Sequence, residues 1–249
     1  MKIIKIPTWY YKQFDADYSL KHPTLGYGSW HSESLDINLS KTAFVVMHAW
    51  NPFEYENNTG CYRAVEYLPR AKKILETTLP SLLSALRKNK LKIYHIVDEK
   101  HTKFTSLPNP IKDEVILNLE TFKKNNVFPG KHNLSDCNKF KRQPMLIKSN
   151  EPLLYNGEEL HRLCLKDGIN HLIYSGFALN WCLQYSSGNM NEMSDRGFMC
   201  STFKETITAV ENKESIINEG HKEYALWLTS IKNGFIYSLP EFLSALEHS

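Results

Sequence analysis

Three residues far apart in the chain carry side chains suited to nucleophilic chemistry: His48, Lys148 and Cys182. Cys182 has the most telling surroundings. It lies in His171-Leu-Ile-Tyr-Ser-Gly-Phe-Ala-Leu-Asn-Trp-Cys182-Leu-Gln-Tyr185. This stretch reads as a buried strand, a sharp turn at Gly176 and a helix with the cysteine in its first turn. Asn180 is the expected helix cap. A helix start presents open N–H groups and the positive end of its dipole. That setting favours thiolate over thiol and offers donors to an oxyanion forming beside the sulfur. His48 and Lys148 each close a segment that reads as a strand. A neutral imidazole accepts a proton near pH 7, and a Cys–His pair is a workable nucleophile and base. Each residue also has a plain structural reading: Cys182 as a small buried apolar group, His48 as a satisfied core histidine, Lys148 as a surface charge.

The elements that must position these groups alternate. Thr42-Ala-Phe-Val-Val-Met-His48 is an apolar run without alternation, as expected when both faces of a parallel sheet are covered. Further strands are expected at Leu91–Val97, Gln143–Lys148, around Leu172–Tyr174, at Phe198–Phe203 and at Gly234–Tyr237. Between them fall helical patterns: Ala71–Asn89, with Pro80 kinking it or starting its second half; a helix opened by the capping box Asn156-Gly-Glu-Glu159 and closed by Gly168; Glu219–Lys232; and a short one after Ser238. The alternation implies an α/β fold: a doubly wound, mainly parallel six-stranded sheet with helices on both faces. In such sheets ligands bind at the carboxyl ends of strands.

Two segments fall outside this pattern. Residues 1–41 hold Trp9, Tyr10, Tyr11, Phe14, Tyr18, Tyr27 and Trp30 without a helical period. We read them as an ordered aromatic arm, packed on the domain of residues 42–249 or on a neighbouring subunit. Residues 99–141 are long and polar, as expected of a lid or an interface segment.

Bulk properties exclude several classes. The chain has 249 residues, 42% of them hydrophobic, which suits one large domain. With 30 basic and 27 acidic residues the net charge is +3, too balanced to argue for nucleic acid or an acidic membrane surface. Five cysteines in no paired spacing give neither a zinc pattern nor a disulfide framework. No apolar run approaches the length of a membrane span, and a cytoplasmic, reducing compartment is expected.

Three blocks in order resemble the isochorismatase-like cysteine hydrolases: Thr42-Ala-Phe-Val-Val-Met-His-Ala-Trp-Asn51, Leu146-Ile-Lys148 and Tyr174-Ser-Gly-Phe-Ala-Leu-Asn-Trp-Cys182. The last is the most specific. The resemblance spans about Thr42 to Leu246, and Tyr10-Tyr11 and Gly26-Tyr27 look like an extension found in one branch. It implies a Rossmann-type three-layer sandwich. It also implies a cysteine nucleophile at Cys182, Lys148 stabilising the developing charge, and an oxyanion hole from the backbone N–H groups of Ala178 and Cys182. A cis peptide is implied at Phe177–Ala178. The family's aspartate falls at His48, where histidine would act as the proton shuttle. Trp50, Phe53 and Trp181 would wall a small planar substrate, or simply pack. No cofactor is implied. Asp98 and His101 fall where some relatives hold a metal, but Lys100 occupies the matching ligand position, so no metal is expected. Relatives are commonly dimers or tetramers, which implies a homo-oligomer. Two readings follow: a hydrolase of a small amide-like substrate through a Cys182 thioester, or a catalytically impaired relative that binds a small ligand or partner. A third is a structural oligomer element, suggested by the arm.

Overall fold

The structure is a computed structural model that describes residues 2–52, 65–97 and 144–248. Phe53, Cys61, Asp98, His101, Cys137 and the 99–141 segment lie outside the described residues.

Among the described residues eight strands form one sheet: β1 Ile3–Lys12, β2 Ser29–Asn38, β3 Thr42–Met47, β4 Lys92–Ile96, β5 Leu153–Leu154, β6 His171–Gly176, β7 Met199–Ile207 and β8 Ile236–Tyr237. Their order is β2-β1-β8-β7-β6-β3-β4-β5. The six from β8 to β5 are parallel. The sheet is therefore doubly wound and mainly parallel, with eight strands rather than six.

Two sequence expectations change here. Residues 1–41 are not irregular: β1 and β2 form an antiparallel hairpin, and Thr8 and Trp9 pair with Tyr237 and Ile236 of β8. Ile4 and Ile6 point into the core, whereas β2 is exposed along most of its length. Its half-polar sequence hid the strand for that reason. Tyr11 packs edge-on against Trp30 and Trp227, yet Phe14 and Tyr18 stay 54% and 89% exposed. The second change concerns the expected third strand. The described part of Gln143–Lys148 makes only an isolated bridge, Trp50 to Pro144, and the edge strand is Leu153–Leu154.

Helices cover both faces. α1 (Leu68–Lys73) runs through a π turn (Ile74–Thr78) into α2 (Leu79–Lys88). Pro80 sits in the first turn of α2. Proline supplies no N–H to the preceding turn and crowds it, and the wider π turn takes up the difference. α3 (Gly157–Asp167) starts at the Asn156 cap: Glu159 N–H donates to Asn156 Oδ1 at 2.9 Å, while the Glu159 carboxylate reaches one residue further back than a capping box and accepts from Tyr155 N–H. It ends at Gly168 with φ 66°. α4 (Cys182–Tyr185), α5 (Met190–Asp195), α6 (Gly220–Lys232) and α7 (Leu239–Glu247) follow.

β3 shows how the layers are assigned. Phe44 and Val46 pack with Leu75, Leu79, Leu83 and Phe242, beneath α1, α2 and α7. Ala43, Val45 and Met47 pack with Leu160, Leu183 and Met190, beneath α3, α4 and α5. Period-two geometry sends alternate side chains to opposite faces, and both faces are buried, so the sequence reads as an unbroken apolar run. Each fully buried leucine or phenylalanine contributes roughly 1.5–3 kcal/mol.

Candidate functional site

The connection leaving β3 crosses one face of the sheet through α1 and α2, and the connection leaving β6 crosses the other through α4 and α5. β3 and β6 are neighbours, with Met47 opposite Gly176. The chain therefore diverges at their carboxyl ends, the topological switch point at which doubly wound sheets bind ligands. His48 follows the end of β3 directly, and Cys182 opens the helix that follows β6.

Gly176 makes this junction feasible. Its φ is +133°, and a Cβ on it would stand 1.8 Å from the Met47 carbonyl oxygen. Only glycine lets the two strand ends approach so closely. Beyond it the Phe177–Ala178 peptide is cis. The Ala178 carbonyl then accepts from the N–H groups of Trp181 and Leu183, both at 3.1 Å. Cys182 is a free, partly exposed thiol at the first residue of α4. Among the described residues, neither the Ala178 nor the Cys182 N–H donates a hydrogen bond.

Asn180 does not cap the helix. Trp181 occupies the cap position, 61% exposed, and makes no side-chain cap bond. The Asn180 amide instead grips Val210 in the loop after β7, donating to its carbonyl at 2.9 Å and accepting its N–H at 2.8 Å. That loop is anchored further. The Leu179 N–H donates to the Thr208 carbonyl at 2.7 Å. The buried Glu211 carboxylate accepts the His221 and Lys222 N–H groups in the first turn of α6. A carboxylate there meets the helix dipole favourably. Glu66 accepts the Glu211 N–H and an Arg70 N–H, while Arg70 also donates to the Ala209 carbonyl and pairs with Glu219 at 2.9 Å. Sequence reasoning passed over Asn180's true partner and this whole network. The one local signal was a carboxylate, Glu211, set four residues beyond the end of β7 and directly after Ala209-Val210.

His48 is 6% exposed and has φ 53°, a left-handed backbone that histidine adopts more readily than most residues. Its N–H donates to the Ile96 carbonyl of β4 at 3.0 Å. Its ring stacks on Trp50, with centroids 5.1 Å apart and planes at 26°. Trp50 is half-buried and bridges to Pro144, so the 144–152 segment enters at this rim.

Lys148 does not join them. The 144–152 segment runs from this rim along the sheet edge to β5, which pairs with His95 and Ile96 in the carboxyl half of β4. Lys148 is exposed and lines a cavity with Lys90, Lys92 and Asp167 at the amino end of β4. β4 spans five residues, so the two ends of the sheet lie on the order of 15 Å apart. The turn is set by Glu151. Its carboxylate accepts from Arg87 Nε at 2.6 Å, from Arg87 Nη2 at 2.9 Å and from the Lys148 N–H at 3.1 Å, and meets His95 Nε2 at 2.8 Å. Burial would raise this carboxyl, but the Arg87 guanidinium, the Lys148 N–H and His95 together hold it down at about 2. His95 itself is pushed down, because burial outweighs its bond to Glu151. His95 is thus a buried core histidine. Among the described residues no three His, Cys, Asp or Glu side chains cluster closely enough to hold a metal ion.

No family model and no curated protein matches the chain. Solved structures do. A cysteine hydrolase from Pseudomonas syringae pv. phaseolicola aligns over 85% of this chain and 95% of its own, at 12% identity and a TM-score of 0.50. An isochorismatase family protein from Burkholderia thailandensis covers 85% and 97% at 13% identity, TM-score 0.50. An isochorismatase-like hydrolase from Alkaliphilus metalliredigens covers 82% and 98% at 15% identity, TM-score 0.50.

The chain has the isochorismatase-like fold.

Within that fold the described core, from Thr42 to α7, supplies the α/β sandwich. The N-terminal hairpin extends the sheet beyond β8. No helix among the described residues is long and apolar enough to cross a membrane.

Proposed function

We propose that the chain is a cysteine hydrolase acting on a small amide-like substrate at the carboxyl ends of β3 and β6. The observation that carries this reading is the divergence of the chain at two adjacent strand ends, one followed by His48 and the other by the partly exposed Cys182. In this reading the Cys182 thiol gives its proton to His48 and its sulfur attacks the substrate carbonyl carbon. The oxyanion is met by the uncommitted N–H groups of Ala178 and Cys182. The C–N bond then breaks, the amine leaves with a proton delivered by His48, and a thioester remains. Water, giving its proton to His48, cleaves the thioester and frees the acid and the thiol. Trp50, stacked on His48, and the exposed Trp181 form aromatic walls suited to a planar substrate. Lys148 is given no step in this reading, because its cavity lies along the amino half of β4 and no hydrogen bond or ion pair links Lys148 to His48 or Cys182 among the described residues. Self-association as a dimer or tetramer and a cytoplasmic setting belong to the same reading.

The deciding measurement is mass spectrometry of the protein quenched during turnover of a panel of small aromatic and aliphatic amides. An acyl adduct on the Cys182 peptide is expected, and its loss with all turnover in C182A. No turnover and no adduct in the wild type would overturn the hydrolase reading.

A second reading keeps this site for binding only. His48 stands where the family's proton shuttle is aspartate, and its ring is buried against Trp50. Turnover that appears only in H48D would favour it.

A further inference from the structure

The amino end of the sheet holds a cavity of about 550 Å³, within the usual size of small-molecule sites. It is lined by the amino half of β4, whereas Cys182 follows the carboxyl end of β6. Four cationic side chains line it: Arg87, Lys90, Lys92 and Lys148. Two carboxylates, Glu151 and Asp167, face them, which leaves a surplus of two positive charges (four minus two). Both carboxylates are already engaged. Glu151 holds the Arg87 guanidinium in a two-pronged pair, and Asp167 takes the Lys92 ammonium at 3.0 Å and the Tyr94 hydroxyl at 2.7 Å. Among the described residues Lys90 and Lys148 have no carboxylate within ion-pair distance.

Both lysines are placed by specific backbone structure. Lys90 ends α2 in a left-handed conformation, φ 54°, with its N–H donating to the Arg87 carbonyl at 3.0 Å. Glycine or asparagine usually takes such a position. Lys148 is held by its N–H on the buried Glu151 and by its carbonyl accepting the Glu151 N–H at 2.9 Å. The two uncommitted charges thus sit on hydrogen-bonded backbone. Leu91, Ile93 and Pro152 add an apolar wall.

We infer that this cavity binds a small, doubly charged phosphate, either inorganic phosphate or the phosphate group of a monoester. Two ammonium groups are compact charges that suit a tetrahedral dianion. A planar carboxylate would call for the guanidinium fork, which Glu151 already fills. The Asn150 amide, also on the lining, supplies a neutral donor.

Calorimetric titration of the full chain tests this, at about pH 8, where phosphate is a dianion, and at a fixed ionic strength of about 0.15 M. The probes are inorganic phosphate, glycerol phosphate and chloride. The variant K90N/K148Q keeps a residue tolerant of the left-handed turn and removes both charges. K213A removes an exposed lysine elsewhere. Saturable binding of phosphate or the monoester, weakened at least about tenfold in K90N/K148Q and unchanged in K213A, is expected. Tighter binding of the monoester would identify an organic ligand, and equal binding phosphate itself. Phosphate heats no different from chloride, or equal affinity in K90N/K148Q, would overturn the proposal.

Discussion

Asn180 and Val210, thirty residues apart in sequence, bind each other as two strands would: the side-chain amide donates to the Val210 carbonyl and accepts the Val210 N–H. This bridge ties the turn that carries Cys182 to the loop after β7, and through Glu211 to the start of α6. N180A removes both bonds and strands two backbone groups. A loss of about 1–3 kcal/mol in urea unfolding is expected. N180D keeps the acceptor and should lose less. If the bridge positions the Cys182 turn, kcat for the amide of the proposed reaction falls in folded N180A while Km changes little. A purely structural bridge would shift the urea midpoint alone.

Thiol chemistry should separate the cysteines. Cys164 is pushed up to about 12 by burial and, second, by the Asp167 charge; burial takes Cys200 to about 12 against a bond with Ser194. Both are buried thiols, whereas Cys182 is partly exposed. Brief iodoacetamide treatment of the native protein at neutral pH, followed by peptide mapping, should label Cys182 and spare Cys164 and Cys200. Equal labelling of the three would show that its turn gives Cys182 no privileged access.

Stability should fall in acid through His171. This ring lies at the amino end of β6, 4% exposed, between the Ser201 hydroxyl at 2.9 Å and Thr42 at 3.4 Å. Burial pushes it down to about 3. The unfolded ring, near 6.5, binds a proton over the window in which the folded ring does not. Stability from this group is therefore complete above about pH 6.5 and declines as pH falls toward 3, by up to about 1.4 kcal/mol per pH unit. Unfolding midpoints at pH 7, 6, 5 and 4 check the slope. H171N, which keeps a polar group but cannot gain the charge, should flatten the difference.

Removing residues 1–41 should do more than shorten the protein. The hairpin covers the edge of β8, and Ile4, Ile6, Ile37 and Leu39 belong to the core beneath α2 and α7. Four buried aliphatic side chains at roughly 1.5–3 kcal/mol each approach the whole stability of a domain. The truncated chain should aggregate or show no cooperative melting by circular dichroism. A well-folded truncated protein would mean that the hairpin is dispensable packing.

Much of the layout was legible in the chain itself. β3, β4 and β6 showed as apolar runs because burial on both faces leaves no polar alternation. The Asn156 cap showed because capping is a local contact. Gly176 and Cys182 showed as a turn and a helix start because six residues suffice to define both. His48 was placed at a strand end, and it stands there.

Other features depended on which strand pairs with which, and short-range pattern carries no such information. The hairpin's half-exposed β2 has no apolar stripe, and its place beside β8 is settled by long-range pairing. Lys148 follows an apolar run like a strand's, but that run forms only the bridge of Pro144 to Trp50, and Lys148 lines a cavity with Lys90 and Lys92 instead. Asn180 looked like a cap because its partner Val210 is invisible to any local window. Local chemistry in the sequence thus determined the elements and the turn that carries Cys182. Only tertiary structure decided which charged groups share an end of the sheet, because that depends on strand order and on hydrogen bonds between distant segments.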